Sequence, residues 1–212
     1  MFRRNLLPIL LLCAVGLSNV YAASDSDEIL RAFDLIADIK KGKKIYSQCI
    51  SCHHEKGWGK EDGSVPMIAA EYQRVLIKTL ADIRSQPEAD NPIMYKPANP
   101  ATIGGAQAVA DLTAYISSLP RDENSSKGKG NQLELGKKLY QSKCQQCHGE
   151  QAQGDVLDYV PKLNGQNYAY LLRKIQWLAS GSSKNSKPIM VLRMKGLSAQ
   201  EMEALADYIS RL

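Results

Sequence analysis

Apolar residues recur at helical spacing in three segments of the chain, and this series of three segments occurs twice. No segment shows the sustained apolar–polar alternation of a half-buried strand, so the pattern predicts an all-α fold. The periodic apolar positions are Ile45, Tyr46, Val75, Leu76, Leu80, Val109, Leu112, Tyr115 and Ile116 in the first series, and Leu133, Leu139, Tyr140, Leu171, Leu172, Ile175, Met202, Leu205, Tyr208 and Ile209 in the second.

The two series belong to an internal sequence repeat. Gly42–Tyr46 reads Gly-Lys-Lys-Ile-Tyr and matches Gly136–Tyr140, and Pro92-Ile93-Met94 matches Pro188-Ile189-Met190. Matching positions are about 93 to 96 residues apart. Because this period is too long for a solenoid repeat, it predicts two similar small domains in tandem.

The repeat sets the domain boundaries. We expect domain 1 at residues 40–120, a linker at 121–130 and domain 2 at 131–212, because the linker is polar and has helix breakers at both ends. Residues 23–39 form an N-terminal extension, with a helix expected over residues 27–39 that packs on the domains. The apolar face of that helix would carry Ile29, Leu30, Phe33 and Ile36.

The first 22 residues have the pattern of a secretory signal peptide. Arg3 and Arg4 precede an apolar run at residues 6–17, and small residues precede a cleavage position after Ala22. The run is too short to span a bilayer, which takes about 20 residues. We therefore expect export to the periplasm as a soluble protein. A lipoprotein is less favoured, because Cys13 follows a leucine and would be removed with the leader.

Charge is distributed unevenly in the expected mature chain, which has 25 Lys and Arg against 22 Asp and Glu. Residues 23–120 carry 11 basic and 13 acidic residues, whereas residues 121–212 carry 14 and 9. Such an asymmetry can orient a protein on a charged partner. The excess is small and is not interleaved with aromatic residues, so it does not indicate nucleic-acid binding. The composition leaves peripheral association with a membrane open.

The chemistry of the chain is concentrated in two copies of the motif C-x-x-C-H. Its two thiols lie on one helical turn, where they can form thioether bonds to one porphyrin, and the adjacent imidazole can bind the iron. The alternatives are a thioredoxin-like pair, a zinc site and structural disulfides, but no α/β pattern and no further good ligands accompany the motifs. We expect two covalently bound c-type haems, held by Cys49, Cys52 and His53, and by Cys144, Cys147 and His148.

The number of histidines then restricts which residue can be the second axial ligand of each iron. The third histidine, His54, adjoins a motif histidine and cannot reach the opposite face of the same haem. A methionine thioether is the natural alternative. Met94 and Met190 occupy matching places, 41 and 42 residues after their motif histidines, which favours them over Met67 and Met194.

Two other pairs of repeated residues have expected structural roles. Gly42 and Gly136 predict a close crossing of the first and last helices of each domain, with Tyr115 and Tyr208 on the opposing helix.

Repeated prolines suggest how each motif histidine is oriented. Pro66 and Pro161 would lie in the loop beside it. A backbone carbonyl there can accept the imidazole N–H and increase the donor strength of the ring.

These residues resemble the class I c-type cytochromes, and the tandem arrangement resembles the dihaem cytochrome c4 family. The resemblance covers nearly all of residues 40–212 and is strongest in the second repeat, through residues 144–149, 161–166 and 170–171, Met190, and Leu197-Ser198. It implies a distal methionine at Met190. It also implies a pseudo-twofold contact between the domains, through which electrons pass within the molecule.

The first repeat departs from the family pattern in three places. His54 stands where the family has glycine, and residues 67–71, Met-Ile-Ala-Ala-Glu, stand where it has Lys-Leu-x-Gly-Gln. Residues 97–105 replace the usual Leu-Ser start of the last helix. These changes concern the surroundings of the first haem and leave its attachment motif intact.

The function that the sequence predicts is one-electron transport without catalysis. The carrier would accept electrons from a periplasmic dehydrogenase or a quinol-oxidising complex and pass them to a terminal oxidase or reductase. Two alternatives stay open. The chain could be an electron-transfer subunit of a larger complex, or, if the first haem has an open distal side, a peroxidase or a thiosulfate-oxidising enzyme.

Overall fold

The computed structural model describes residues 29–85, 92–183 and 186–212, so the expected signal peptide lies outside the described residues. Within them the fold is all-α, as predicted, with a single isolated bridge between Asp155 and Val160. No helix in the described ranges combines the length and hydrophobicity needed to cross a membrane. The helices are α1 (Ile39–Tyr46), α2 (Ile50–His53), α3 (Gln73–Ser85), α4 (Pro92–Ala98), α5 (Pro100–Ile103) and α6 (Ala106–Ser118) in the first half, and α7 (Leu133–Lys143), α8 (Gln145–His148), α9 (Tyr168–Ala179), α10 (Pro188–Met194) and α11 (Ala199–Ser210) in the second.

The N-terminal extension differs from the predicted helix. Its described part contains a short 3-10 helix at Arg31–Asp34, after which Leu35 is extended. Asp38 is extended too, because its carboxylate caps α1 by accepting the amide protons of Lys40 and Lys41. The predicted packing face is therefore only partly correct: Ile29 is buried in the first core, whereas Ile36 is 94% exposed.

Each half has its own hydrophobic core. In the first, α1 packs against α6 and α3 packs against α6; in the second, α7 and α9 both pack against α11. The apolar stripes predicted from the sequence supply these cores, since Val109, Leu112 and Ile116 of α6 are buried, as are Leu205 and Ile209 of α11. The repeat is therefore a repeat of fold as well as of sequence.

The two predicted helix crossings are present and close. A Cβ atom on Gly42 would lie 2.0 Å from the carbonyl oxygen of Asp111 and 2.9 Å from Cβ of Tyr115. On Gly136 it would lie 2.1 Å from the carbonyl oxygen of Ala204 and 2.7 Å from Cβ of Tyr208. Only glycine fits between the backbones at these distances.

The segment predicted as a linker packs on the second half. The Nζ of Lys127 donates to the carbonyl of Ser210 at 2.7 Å, and the amide of Gly130 donates to Asp207 at 2.6 Å. Ser125 is buried. The polar composition of this segment gives it no apolar core of its own. Its hydrogen bonds with α11 nevertheless hold it against the second half.

Candidate haem-binding sites

In both halves the C-x-x-C-H motif forms a single helical turn directly after the first helix of the domain. The amide of His53 donates to the carbonyl of Cys49, and that of His148 to the carbonyl of Cys144, each at 2.9 Å. One turn therefore carries both thiols and the imidazole. All four cysteines of the motifs are free thiols, with the first of each pair turned inwards and the second, Cys52 or Cys147, exposed.

The inner thiols lie in apolar surroundings. Burial raises the pKa of Cys144 to about 11. Burial also raises the pKa of Cys49, and the neighbouring Cys52 adds to this. A redox-active pair needs a stabilised thiolate. The surroundings of these cysteines oppose a thiolate, which disfavours the thioredoxin-like alternative.

Both motif histidines are buried, and burial lowers the pKa of each. In the second half, Nδ1 of His148 lies 3.1 Å from the carbonyl oxygen of Pro161, the predicted acceptor. Nδ1 of His53 has no hydrogen-bond partner among the described residues, although the carbonyl of Pro66 is close enough to oppose the fall of its pKa. A hydrogen bond from Nδ1 to a carbonyl, as the contact of His148 permits, leaves Nε2 of the ring for a metal.

A tyrosine hydroxyl fixes the end of each motif turn. Tyr46 donates to the carbonyl of His54 at 2.7 Å, and Tyr140 donates to the carbonyl of Gly149 at 2.6 Å. Gly149 has a φ of 82° and His54 has a φ of 69°, so the histidine adopts the left-handed conformation that the glycine tolerates. Its ring stacks on Trp58, with centroids 5.4 Å apart and planes 10° apart.

The candidate methionines fall into two groups. Met94 in α4 and Met190 in α10 are half-buried and pack against the core of their own half. Met194 is a fully buried member of the second core. Met67 is buried at the boundary between the halves, where its amide and carbonyl both bond to the side chain of Gln166. Met194 thus has a packing role in the core, whereas the bonds of Met67 involve its backbone and not its thioether. Axial ligation by Met94 and Met190 stays a prediction.

The contact between the halves centres on residues for which the sequence indicated no role in joining the domains. The amide of Met67 donates to Oε1 of Gln166 at 3.0 Å, and the amide of Lys162 donates to Oε2 of Glu71 at 3.0 Å. The repeat could have indicated this arrangement, because Met67 matches Lys162 and Glu71 matches Gln166 at the same offset. The bond from Met67 to Gln166 and the bond from Lys162 to Glu71 are therefore equivalent under the pseudo-symmetry of the repeat.

Cationic side chains extend this boundary on both sides. Arg173 of α9 donates to the carbonyls of Gly63 and Ser64. Arg74 of α3 donates to the hydroxyl of Tyr159 at 2.9 Å and lies over the ring of Phe33 in the N-terminal extension. The extension thus reaches the contact between the halves.

The chain resembles known proteins in sequence and in structure. The family model of cytochrome c matches residues 39–120 and 133–212. A cytochrome c4 of Stutzerimonas stutzeri is 28% identical over 192 residues, which cover 82% of this chain and 89% of the relative. The crystal structure of reduced cytochrome c4 from Pseudomonas stutzeri has a TM-score of 0.72 at 26% identity and matches 84% of this chain and all of its own.

A third similarity extends to the fold alone. A thiosulfate dehydrogenase structure from Marichromatium purpuratum has a TM-score of 0.67 at 22% identity, and the match spans 82% of this chain but 40% of that one.

The geometry of both halves suits a c-type haem. Each half offers two free thiols on one turn, a buried imidazole, and a methionine packed on the same core. The two matched regions coincide with the two halves of the fold. The chain belongs to the cytochrome c family, as a dihaem protein similar to cytochrome c4 that carries two covalently bound c-type haems.

Proposed function

We propose that this electron carrier is exported to the periplasm, where it takes electrons from a dehydrogenase or quinol-oxidising complex and delivers them to a terminal oxidase or reductase. The observation that carries the proposal is the presence in both halves of the same motif turn with a buried imidazole. A haem bound there accepts and releases one electron at a time. The expected signal peptide supports the periplasmic location.

Each site has its own set of protein ligands under this proposal. Cys49 and Cys52 hold the first haem through thioether bonds, and Cys144 and Cys147 hold the second. The iron of the first site is bound by His53 and Met94, and that of the second by His148 and Met190. A neutral thioether opposite imidazole raises the reduction potential and leaves no coordination position for a substrate.

The experiment is an optical spectrum of the purified protein, oxidised and reduced, with and without carbon monoxide, together with a pyridine haemochrome count. We expect two haems per chain, the weak far-red band of methionine–Fe(III) ligation, and no change with carbon monoxide. A high-spin haem that binds carbon monoxide in the unmutated protein would contradict the ligand set.

Matched variants test each methionine. Met190→Ala should open the second iron to carbon monoxide, whereas Met194→Ala, on the same helix, should leave the spectrum unchanged and only weaken the core. In the first half, Met94→Ala should open the iron and Met67→Ala should not. If Met67→Ala opens it instead, Met67 is the ligand.

A second candidate function is that of an electron-transfer subunit in a larger enzyme. The observation in its favour is the fold shared with part of the thiosulfate dehydrogenase from Marichromatium purpuratum. The N-terminal extension, with Ile36 exposed, would supply the contact. Co-purification with a catalytic partner would support this candidate, and isolation of the chain as a free monomer from its native host would oppose it.

A further inference from the structure

One peptide unit in the second half joins the motif histidine to a carboxylate of the first half. Its carbonyl oxygen, on Pro161, lies 3.1 Å from Nδ1 of His148. Its N–H, on Lys162, donates to Oε2 of Glu71 at 3.0 Å. The carboxylate and the imidazole therefore lie at the two ends of a chain of hydrogen bonds that passes through a single amide.

The matching peptide unit in the first half ends on a neutral group. The amide of Met67 donates to Oε1 of Gln166 at 3.0 Å, and the carbonyl of Pro66 lies near Nδ1 of His53, which makes no hydrogen bond among the described residues. The arrangement around the acceptors is matched in part: the amide of Tyr72 donates to Oε1 of Glu71 at 2.7 Å, and that of Asn167 donates to Oε1 of Gln166 at 3.0 Å. The Nε2 of Gln166 also donates to the carbonyl of Met67, a bond that a carboxylate cannot make. The two halves thus differ in the charge of the acceptor, and also in the link to the imidazole, which is a hydrogen bond in the second half and a looser approach in the first.

The charge of the acceptor affects the strength of the hydrogen bonds that link it to the imidazole. A hydrogen bond to a carboxylate is roughly twice as strong as one to a neutral amide. Linked hydrogen bonds polarise one another, so an amide whose N–H is held by a carboxylate has a more negative carbonyl oxygen. An imidazole that donates to such an oxygen is a stronger ligand, which stabilises the oxidised metal.

We propose that Glu71 and Gln166 are positioning residues that act across the domain boundary, each setting the donor strength of the axial histidine in the opposite half. Ionised Glu71 strengthens His148 and lowers the reduction potential of the second haem relative to the first. Neutral Gln166 has a weaker effect on His53. The inference rests on the proposed axial roles of the two histidines.

The surroundings of Glu71 hold its carboxylate in place. Arg121 and Lys162 lie close enough to favour its charge, and Nζ of Lys162 also donates to the carbonyl of Ala70 at 2.6 Å. Burial opposes that charge and raises the pKa of Glu71. Measurements should therefore be made at about pH 8, far above the usual range of carboxyl pKa values.

The test uses the holoprotein with Glu71→Gln, which keeps the shape of the side chain and makes the first-half and second-half acceptors alike. We expect the potential of the second haem to rise. The equilibrium constant for electron exchange between the haems should shift about two- to fivefold toward the reduced second haem. In the reduced protein, the Nδ1–H resonance of His148 should move upfield, while that of His53 stays in place.

Two further variants separate this effect from others. Asp62→Asn removes another carboxylate, one that interacts with Arg173 at the same boundary but bonds to neither peptide. It should leave both Nδ1–H resonances in place. Gln166→Glu supplies the missing charge to the first half, although it also removes the bond from Nε2 to the Met67 carbonyl, and it should lower the potential of the first haem.

Particular results would overturn the inference. If Glu71→Gln moves both potentials equally and leaves the His148 resonance in place, the carboxylate acts only through space. The proposal also fails if Asp62→Asn reproduces the changes of Glu71→Gln. A carbon monoxide-binding haem in the unmutated protein would show that the proposed ligand set is wrong. If both haems are low-spin and the His148 resonance does not move in Glu71→Gln, only the proposed effect of Glu71 on His148 is refuted.

Discussion

At the scale of single residues, the most informative positions are those where the two halves differ despite equivalent surroundings. His54 takes the place of Gly149 after the motif turn and keeps the same left-handed backbone. A side chain in that conformation costs on the order of 1–3 kcal/mol. The stack on Trp58 and the hydrogen bond from the Lys56 amide to the His54 ring offset part of that cost.

Substitution of His54 should separate backbone strain from stacking. Both His54→Gly and His54→Ala remove the stack, but only the alanine keeps a Cβ at a φ of 69°. We expect His54→Gly to be more stable than His54→Ala by about 1 kcal/mol. The measurement is denaturant unfolding of the holoprotein. Equal stability would mean that the turn relaxes when the stack is lost.

At the scale of the elements, the crossing of the first and last helices fixes each half. These helices share only part of their sequence between the halves, yet both crossings have a glycine against a backbone carbonyl and a tilted tyrosine pair. The ring centroids are 5.4 Å apart for Tyr46 and Tyr115 and 5.8 Å apart for Tyr140 and Tyr208. The crossing brings the motif turn, which follows the first helix, against the core of its own half.

Alanine at either glycine should force the helices apart. We expect Gly42→Ala and Gly136→Ala each to destabilise the holoprotein by about 3 kcal/mol, because the new methyl group would meet a backbone carbonyl that cannot rotate away. Thermal or denaturant unfolding measures the effect. Lys43→Ala and Lys137→Ala, at exposed positions on the same two helices, are the controls and should change stability by about 0.5 kcal/mol or less. A loss no larger than theirs would show that the crossing can widen freely.

At the scale of the whole molecule, hydrogen bonds and cation–ring contacts join the two halves. Gln166 and Asn167 are buried there, and both donate across the boundary, to Met67 and Trp58 respectively. Such hydrogen bonds require a defined geometry. It suits a molecule in which the distance and orientation of two redox sites must be constant.

The charge difference between the halves belongs to this scale as well. Because residues 121–212 carry an excess of basic residues and residues 23–120 do not, we expect the second half to approach an acidic redox partner first. Stopped-flow electron transfer to such a partner should slow as ionic strength rises from about 10 mM to about 300 mM, where the screening length shortens severalfold. A rate that does not change with salt would remove the steering role of this asymmetry.

Sequence patterns predicted those features that depend on neighbours along the chain. The C-x-x-C-H turns, the helical stripes and the repeat are local or periodic, so the all-α fold and the two attachment sites followed from them. The close crossings at Gly42 and Gly136 could be predicted too, because glycine destabilises a helix interior and its repetition at one helix position indicates that two backbones approach closely there. The helix expected over residues 27–39 was partly wrong, because the short helix there ends at Asp34 and Asp38 is extended where it caps α1.

Only the tertiary structure decided which groups meet across the domain boundary. The bond from Lys162 to Glu71, the burial of Met67 beside Gln166 and the packing of residues 121–130 on α11 join positions far apart in sequence. No periodicity encodes such pairs, because each depends on how two folded halves fit together. The sequence by itself determined what chemistry each half carries, and the contact between the halves determined how the surroundings of the two sites differ.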